Sequence, residues 1–427
     1  MKKIIFCLSL VSTMFLSCAK NGLKYEKELR KNAQAAYENL LKERVLITDA
    51  IDSYISSMSI EDQVAQLFMV NLVGDTEFVP VEKLGEKALV PGGYIFFSYN
   101  IAPTPEKIIS FTDSIKDYCI ENNIIPPYLA LDQEGGYVCR LKNISAYLPS
   151  AKDIASNYSV AEAYKIYSLQ AQQMCALGFN LNIAPVVEIL SEQNKDFLED
   201  RSFGLAENVK SYSSTMINAF QNNGVACVAK HFPGNTNTDP HTGLPNLIIT
   251  EQSFKDEILV PFSYALSNNP SCILMSHAQT SFLEENTPAC FSSKWIKDVA
   301  REKLHFQGLV ISDDIFMAAL ADNGYPEEIA ASLALESGVD VIMISEKRFF
   351  APHESLCKKA RADKFFEKKI KDSVRRVISF KIKYGILSLK KNDNFYMIIA
   401  TESYRSKEER LSDFYFSKHE NESLLKG

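Results

Sequence analysis

The segment GVACVAKHF, residues 224–232, is a short apolar run that ends in a lysine and a histidine. Seven similar runs recur along the chain: AQLFMVNLV (65–73), GGYIFFSY (92–99), PYLALDQ (127–133), FNLNIAPVV (179–187), CILMSHA (272–278), GLVISDD (308–314) and VDVIMIS (339–345). Such nearly continuous apolar runs are typical of strands that are buried on both faces of a parallel sheet. We therefore predict a parallel sheet.

Longer segments with helical spacing lie between these runs. Examples are VAEAYKIYSLQAQQMCALG (160–178) and NVKSYSSTMINAFQNNG (208–224). Strands that alternate with helices predict an α/β fold, and eight such units favour a closed (β/α)₈ barrel of the TIM type. A doubly wound open sheet is the alternative fold. The count of eight and the lack of a glycine-rich nucleotide turn favour the barrel.

The two ends of the chain differ from its middle. The start, MKKIIFCLSLVSTMFLSC, places two lysines before an apolar run, and FLSC resembles the cleavage box of bacterial lipoproteins. A buried apolar helix is the alternative, and the paired lysines disfavour it. We predict a signal peptide (1–17), a lipid anchor on Cys18 with a charged spacer (18–47), one barrel domain (48–388) and a charged C-terminal tail (389–427). The protein is then exported and anchored to a membrane.

Composition excludes several classes of function. The 427 residues are 46% hydrophobic and 23% charged, which is ordinary for a globular protein, and the net charge of −7 includes no basic stripe for nucleic acid. Without Cys7 and Cys18, seven of the nine cysteines remain, mostly inside apolar runs, and we interpret them as small buried hydrophobes. No spacing of cysteine and histidine suggests a metal site, so we expect neither metal nor cofactor.

Polar residues follow several of the apolar runs directly. A barrel carries its active site at the carboxyl ends of its strands, so these residues are expected on one rim. Taken alone, each has a structural interpretation as a helix cap or a satisfied core histidine. Burying so many ionisable groups together without a function would cost stability. The set comprises Asp132, Glu134, Arg140, Arg201, Lys230, His231, His277, Asp313 and Asp314.

Such a rim suits glycosyl transfer or hydrolysis. In that chemistry a carboxylate attacks the sugar carbon while a second group protonates the leaving oxygen. Arginine and lysine beside an aspartate can bind hydroxyl and carbonyl groups through charge-assisted hydrogen bonds. No nucleophilic serine turn and no phosphate loop accompanies these residues in the sequence.

The order of the motifs resembles glycoside hydrolase family 3, in its β-N-acetylhexosaminidase branch. The motifs are LDQEGGYVCRL (131–141), EDRSFG (199–204), KHFPG (230–234), DPHTGLP (239–245), MSHA (275–278) and VISDDIFM (310–317). The similarity extends from about Ile51 to about Ile386. The chain resembles the members of the family that consist of the barrel domain alone.

The resemblance implies a role for each matching residue. Asp313 matches the nucleophile of a retaining enzyme, while Asp314 has a structural role. His241 matches the general acid/base on a mobile loop, with Asp239 as its partner; imidazole titrates near neutral pH and can give and then take a proton. The expected contacts to a terminal N-acetylglucosamine come from Asp132, Arg140, Arg201, Lys230, His231 and His277.

The chain also departs from the family pattern. Asn235 and Thr236 replace a His-Gly pair, the loop is shorter, and Pro240 separates Asp239 from His241. Tyr137 and Glu188 stand where arginine and aspartate are common.

Two alternatives therefore stay open: a sugar-binding lipoprotein without activity, and a phosphorylase. The expected partners are a carbohydrate and, through the lipid, a membrane; the protein is expected to be a monomer.

Overall fold

The computed structural model describes residues 22–238, 243–393, 395–402 and 405–426. Cys18 and the predicted signal peptide lie outside the described residues. The predicted acid/base pair, Asp239 and His241, also lies outside them.

Eight parallel strands form one sheet, with one strand from each of the eight apolar runs. The strands are β1 (Phe68–Asn71), β2 (Gly93–Phe96), β3 (Tyr128–Leu131), β4 (Leu181–Asn182), β5 (Ala226–Phe232), β6 (Cys272–Met275), β7 (Leu309–Ser312) and β8 (Ile342–Ile344). Their order in the sheet is β7-β6-β5-β4-β3-β2-β1-β8. A parallel bridge between Ile311 and Val341 joins the two ends of this order. The predicted (β/α)₈ barrel is confirmed.

Helices occupy the connections between the strands and surround the barrel. They are α1 (Gly22–Ser57), α2 (Ile60–Ala65), α3 (Pro105–Glu121), α4 (Ala151–Asn157), α5 (Val160–Ala176), α6 (Lys195–Leu198), α7 (Ala206–Asn222), α8 (Glu251–Ser253), α9 (Val260–Ser267), α10 (Ala318–Asp322), α11 (Glu327–Ser337), α12 (Phe350–Ala362), α13 (Lys364–Lys383) and α14 (Lys407–Leu424). Short 3₁₀ turns span Ser98–Asn100 and Ala289–Phe291, and π-helical turns span Phe254–Leu259 and Lys294–Lys303.

Helix α5 illustrates how the sequence forms these elements. Ser159 and Glu162 make a capping box at its first turn, in which the Ser159 side chain accepts from the Glu162 amide and the Glu162 carboxylate accepts from the Ser159 amide. Its buried side chains, including Ala163, Ile166 and Tyr167, recur at helical spacing. They pack against α7 and α14.

Both faces of the strands are buried, which explains their continuous apolar sequence. All four residues of β1, β2, β3, β6 and β7 are buried. Packing is close enough to demand glycine at one point. A Cβ at Gly93 would lie 2.0 Å from the ring of Tyr128, which is fully buried on the neighbouring strand.

The ends of the chain are more structured than the sequence suggests. Helix α1 continues through the predicted boundary at 47/48, and the boundary at 388/389 falls inside a hairpin of β9 (Leu387–Asn392) and β10 (Phe395–Ala400). In its described part, the segment predicted as a charged C-terminal tail forms this hairpin and α14. The physical reason is the amphipathic pattern of α14, which buries Phe414 and Arg410 against the barrel helices.

Two further observations concern the predicted cysteines and membrane contact. All seven cysteines among the described residues are free thiols, and six of them are buried, as predicted; Cys175 is exposed. Within the described ranges, no helix has the length and apolar character that crossing a membrane requires.

Candidate active site

The carboxyl end of β3 carries the first part of the site. Asp132 follows β3 directly, and a small hairpin, Gln133–Gly135 paired with Val138–Cys139, follows it. The hairpin returns the chain so that the Arg140 amide donates to the Asp132 carbonyl over 3.1 Å. The Arg140 guanidinium then donates through Nη2 to Asp132 Oδ2, also over 3.1 Å. The two residues predicted together from the sequence are thus in contact.

Lys230 at the end of β5 connects this pair to a second one. Its ammonium lies 3.0 Å from Asp132 Oδ1 and 2.5 Å from Glu134 Oε1. Arg201 donates to both oxygens of Glu134, through Nε at 2.8 Å and Nη2 at 3.0 Å. We call these five residues (Asp132, Glu134, Arg140, Arg201, Lys230) the rim cluster. It joins loops after β3, β4 and β5.

The charges of the rim cluster do not balance. Two carboxylates face three cations, and the Nε of Arg140 is buried without a hydrogen-bond partner among the described residues. Such a cluster can offer donors to the hydroxyl and carbonyl oxygens of a sugar. Glu134, which received no role from the sequence, links Lys230 to Arg201 within the cluster.

The cluster keeps its carboxylates ionised. Burial would raise the pKa of Asp132, but Lys230 and Arg140 outweigh this, and its pKa lies below the ordinary value. For Glu134, burial is likewise outweighed by Arg201 and Lys230, so its pKa is strongly lowered. Burial would lower the pKa of Arg201, but the Glu134 carboxylate raises it overall. Binding, not proton transfer, is the chemistry that these groups support.

His231 contacts Glu188 and is not part of the rim cluster. Its Nδ1 lies 2.6 Å from Glu188 Oε1, and the Asn235 amide donates to Glu188 Oε2, also over 2.6 Å. Glu188 thus holds both the imidazole of His231 and the backbone at Asn235. Sequence reasoning noted Glu188 only as a departure from a pattern. Its position directly after the fourth apolar run was the signal that could have placed it on the rim.

Asn235 in the same segment is unusual. It is only 1% exposed, and neither atom of its side-chain amide has a hydrogen-bond partner among the described residues. It lines a cavity of about 30 Å³ with Glu188 and Leu247. An unsatisfied buried amide costs about 1–3 kcal/mol, so this position is not optimised for stability.

Asp313 lies where β7 ends and is 8% exposed. Its Oδ1 accepts from the Asp314 amide over 2.9 Å. The carboxylate of Asp314 accepts from the amides of Phe316 and Ser345 at 3.0 and 2.9 Å. Burial raises the pKa of Asp314, and these hydrogen bonds lower it in part. Asp314 therefore fixes the turn that presents Asp313, in line with the structural role inferred for it.

His277 at the end of β6 also contacts this turn. Its Nε2 donates to the Asp314 carbonyl over 2.9 Å, and its Nδ1 lies 3.3 Å from the Cys290 sulfur. Both ring nitrogens are engaged within the protein. This arrangement favours a structural role for His277, which positions the Asp313 turn, over the predicted contact with substrate.

The rim thus combines a buried carboxylate on β7 with a cationic cluster on β3–β5. Among the described residues, no group of three or more histidines, cysteines and carboxylates could hold a metal ion. A carboxylate nucleophile beside donors for sugar oxygens is the arrangement that glycosyl transfer requires.

Comparison with known proteins agrees with this chemistry. The glycosyl hydrolase family 3 N-terminal domain matches residues 59–380. The chain belongs to glycoside hydrolase family 3.

Two named relatives are beta-hexosaminidases. Beta-hexosaminidase A of Pseudoalteromonas piscicida is 27% identical over 327 residues, which cover 68% of this chain and 53% of that protein. The beta-hexosaminidase of Methylococcus capsulatus is 30% identical over 260 residues, covering 59% of this chain and 75% of that protein. The chain thus spans about half the length of the first relative and three quarters of the second.

A solved structure supports the same fold. The glycoside hydrolase family 3 beta-N-acetylglucosaminidase from Paenibacillus sp. str. FPU-7 superposes with a TM-score of 0.72 at 26% identity. The match covers 85% of this chain and 69% of that one.

Proposed function

We propose that this protein is a retaining β-N-acetylhexosaminidase that removes terminal N-acetylglucosamine from cell-wall fragments or related glycans. The observation that carries the proposal is Asp313, a buried carboxylate at the end of β7, on the same rim as the rim cluster. The beta-hexosaminidase relatives support the choice of sugar.

In this proposal the rim cluster binds the sugar. Asp132, held by Lys230 and Arg140, is a fixed acceptor for ring hydroxyls. Arg140 and Lys230 donate to hydroxyl and acetamido oxygens, and Arg201 fixes Glu134 in place. Because these groups are already oriented by one another, little ordering is needed when the sugar binds.

The bond changes then follow the retaining mechanism. A carboxylate oxygen of Asp313 attacks the anomeric carbon, while His241, oriented by Asp239, gives its proton to the leaving oxygen. The resulting glycosyl ester is hydrolysed by water that returns its proton to His241. Retention of the β-configuration is the expected stereochemical result.

The test is hydrolysis of a nitrophenyl N-acetyl-β-glucosaminide. Asp313→Asn is expected to lower kcat by at least about 10³-fold because no nucleophile remains. Asp256→Asn, at an exposed position on the π-helical turn, is the matched control and should keep wild-type activity. Substantial activity in Asp313→Asn would overturn the assignment of the nucleophile.

His241 is tested through the leaving group. His241→Ala should lower kcat about 10²-fold or more for a poor leaving group such as unsubstituted phenol, and less for dinitrophenol, which leaves without protonation. Equal losses for both substrates would contradict the role of His241 as acid. Sugar binding without turnover in the wild type would instead favour the non-catalytic alternative, and turnover that depends on inorganic phosphate would favour a phosphorylase.

We also propose that the protein is an exported lipoprotein, with residues 1–17 removed and Cys18 lipidated before the barrel domain (48–388). The sequence supports this through the paired lysines, the apolar run and the FLSC segment. Cys18→Ser should abolish labelling with a radioactive fatty acid and move the protein from the membrane to the soluble fraction. Unchanged membrane association would contradict the anchor.

We also expect the protein to be a monomer, which sedimentation measures.

A further inference from the structure

The hairpin of β9 and β10 lies at the amino end of the barrel, opposite the rim that carries Asp313. The last turn of α13, shortly before the hairpin, contacts residues that precede barrel strands. Lys381 Nζ donates over 2.8 Å to the carbonyl of Pro126, before β3, and Lys383 Nζ donates over 2.9 Å to Ser271 Oγ, directly before β6. In a barrel of parallel strands, the residues before the strands share one end and the residues after them share the other.

One face of this hairpin is apolar and exposed. Side chains of β10 alternate between its two faces, so that Ile398 is buried while its neighbours point outwards. The outward side chains are Phe395, Met397 and Ile399, which are between 36% and 50% exposed. Lys390 pairs with Met397 across the hairpin, is exposed, and lies on the same face. We call Phe395, Met397, Ile399 and Lys390 the basal face.

Helix α1 leads towards the same end of the barrel. Near its middle, Asp52 Oδ1 accepts from Arg375 Nε on α13 over 2.7 Å. Further towards its start, Glu43 Oε1 accepts from the hydroxyl of Tyr396 on β10, also over 2.7 Å. Followed from Asp52 to Glu43, α1 therefore approaches the hairpin. At 1.5 Å per residue, its first part continues for roughly 30 Å beyond Glu43.

This first part of α1 connects the barrel to the predicted lipid anchor. Cys18 precedes the start of α1 by only four residues of sequence, at 18 and 22 respectively. The side chains of Tyr37, Leu40 and Leu41 recur at helical spacing, and each is between 43% and 53% exposed. A lipid on Cys18 therefore enters a membrane from the amino end of the barrel, where exposed apolar side chains lie on both α1 and the hairpin.

The charge of these two elements differs from that of the whole chain. Residues 30–46 of α1 and 387–400 of the hairpin together contain six basic and three acidic residues, whereas the chain has a net charge of −7. A basic segment beside exposed apolar side chains is the combination that binds the surface of an anionic membrane.

We propose that the basal face and the first part of α1 dock on an anionic lipid surface, so that the active-site rim faces away from the membrane. The choice of a membrane as partner rests on the proposed lipid anchor at Cys18 and does not depend on the hydrolase activity. Three apolar side chains give only weak, reversible binding. The basal face therefore orients a protein that the lipid holds, and Cys18→Ser still releases it.

The test measures which end of the lipidated protein contacts the bilayer. The protein is reconstituted in vesicles of phosphatidylcholine and phosphatidylglycerol that contain a spin-labelled quenching lipid. One fluorophore is attached to Asn392→Cys, which pairs with Phe395 across the hairpin, and the control fluorophore to Phe365→Cys, in the first turn of α13. Both proteins carry Cys175→Ser, because Cys175 is the exposed thiol among the described cysteines.

We expect the fluorophore at residue 392 to be quenched at least about threefold more strongly than the one at residue 365, because the first turn of α13 lies roughly 30 Å from its last turn. Phe395→Asp should lower quenching at residue 392 to the level at residue 365. Phe365→Asp, also at an exposed phenylalanine, is the matched control and should leave it unchanged. Vesicles without phosphatidylglycerol should give weaker quenching, since the basic residues lose their anionic partners.

The unfolding temperature of Phe395→Asp, expected to equal that of the wild type, shows that the hairpin still folds. Equal quenching at the two sites, or full quenching in Phe395→Asp, would overturn the docking. A dimer in detergent that Phe395→Asp dissociates would also overturn it, since the basal face would then join two copies of the chain. If Cys18 carries no lipid, the anchor and the docking fall together; if it carries lipid without quenching at residue 392, only the docking falls.

Discussion

At the scale of single residues, Lys230 decides how the site is held together. Its ammonium neutralises Asp132 and Glu134 at once, and all three side chains are buried. Without Lys230, Asp132 would keep only Arg140 and Glu134 only Arg201, so each buried carboxylate would lose one of its two cationic partners in a medium that solvates it poorly. The group that binds substrate in our proposal is therefore also structural.

We expect Lys230→Met to lower the free energy of unfolding by about 3 kcal/mol, because two buried carboxylates lose their shared cation. Urea unfolding at neutral pH measures this. Lys255→Met removes one partner of an exposed pair with Glu251 and should change stability by less than about 0.5 kcal/mol. Equal effects of the two substitutions would contradict the structural role of Lys230.

Residue positions after the strands allowed much of the site to be predicted. Asp132 and Arg140 follow β3, Arg201 follows β4 and Lys230 lies near the end of β5, and the barrel brings them together, with Glu134 linking Arg201 to Lys230. The pairing of His231 with Glu188 could not be predicted, because it depends on how two loops approach each other.

At the scale of elements, α14 shows that a charged segment can be part of the folded body. Phe414 is 0% exposed, and Arg410 donates to the Ala176 carbonyl over 2.8 Å and pairs with Asp113 at 2.6 Å. The same helix leaves Phe416 65% exposed. The overall composition of the segment does not reveal the buried face of α14, because charged residues surround one narrow apolar stripe.

Phe414→Ala should lower the free energy of unfolding by roughly 3 kcal/mol, since it creates a cavity between α14 and its neighbours. Phe416→Ala on the same helix is the control and should change stability by less than about 0.5 kcal/mol. Thermal unfolding of the two variants provides the measurement. If Phe414→Ala is as stable as the wild type, α14 does not pack on the barrel.

At the scale of the whole molecule, the barrel depends on the contact between its last and first units. His353 on α12 makes one of the contacts between these two units. Its Nε2 donates to the Glu61 carbonyl on α2 over 3.0 Å, and its ring packs near Phe68 and Phe349. Burial lowers the pKa of His353 to about 4, although Glu82, Asp62 and Glu354 act in the opposite direction.

This pKa links stability to pH. In the unfolded chain the imidazole binds a proton near its usual pKa of 6.5, whereas in the folded protein it does so near 4. Between these pH values the unfolded state binds more protons than the folded state. The stabilisation that comes from burying the neutral imidazole of His353 is therefore complete above pH 6.5 and declines as the pH falls towards 4. From pH 6.5 to 5 we expect the wild type to lose about 2 kcal/mol.

His353→Gln should remove most of this loss, since glutamine can still donate to the Glu61 carbonyl but does not titrate in this range. Urea unfolding at a series of pH values compares it with His419→Gln, at an exposed position of α14, which should keep the wild-type profile. A slope that persists in His353→Gln would show that another group is responsible.

The sequence by itself determined the barrel. A chain with eight apolar runs separated by helical segments has few other ways to bury these runs while their backbone groups form hydrogen bonds. It also indicated which strand ends carry ionisable side chains. Only the tertiary structure decided that Glu134 links Lys230 to Arg201 in the rim cluster, that His277 contacts the Asp313 turn, and that the C-terminal segment packs on the barrel helices. Strand positions follow from local periodicity, whereas these contacts depend on distances between segments far apart in the chain.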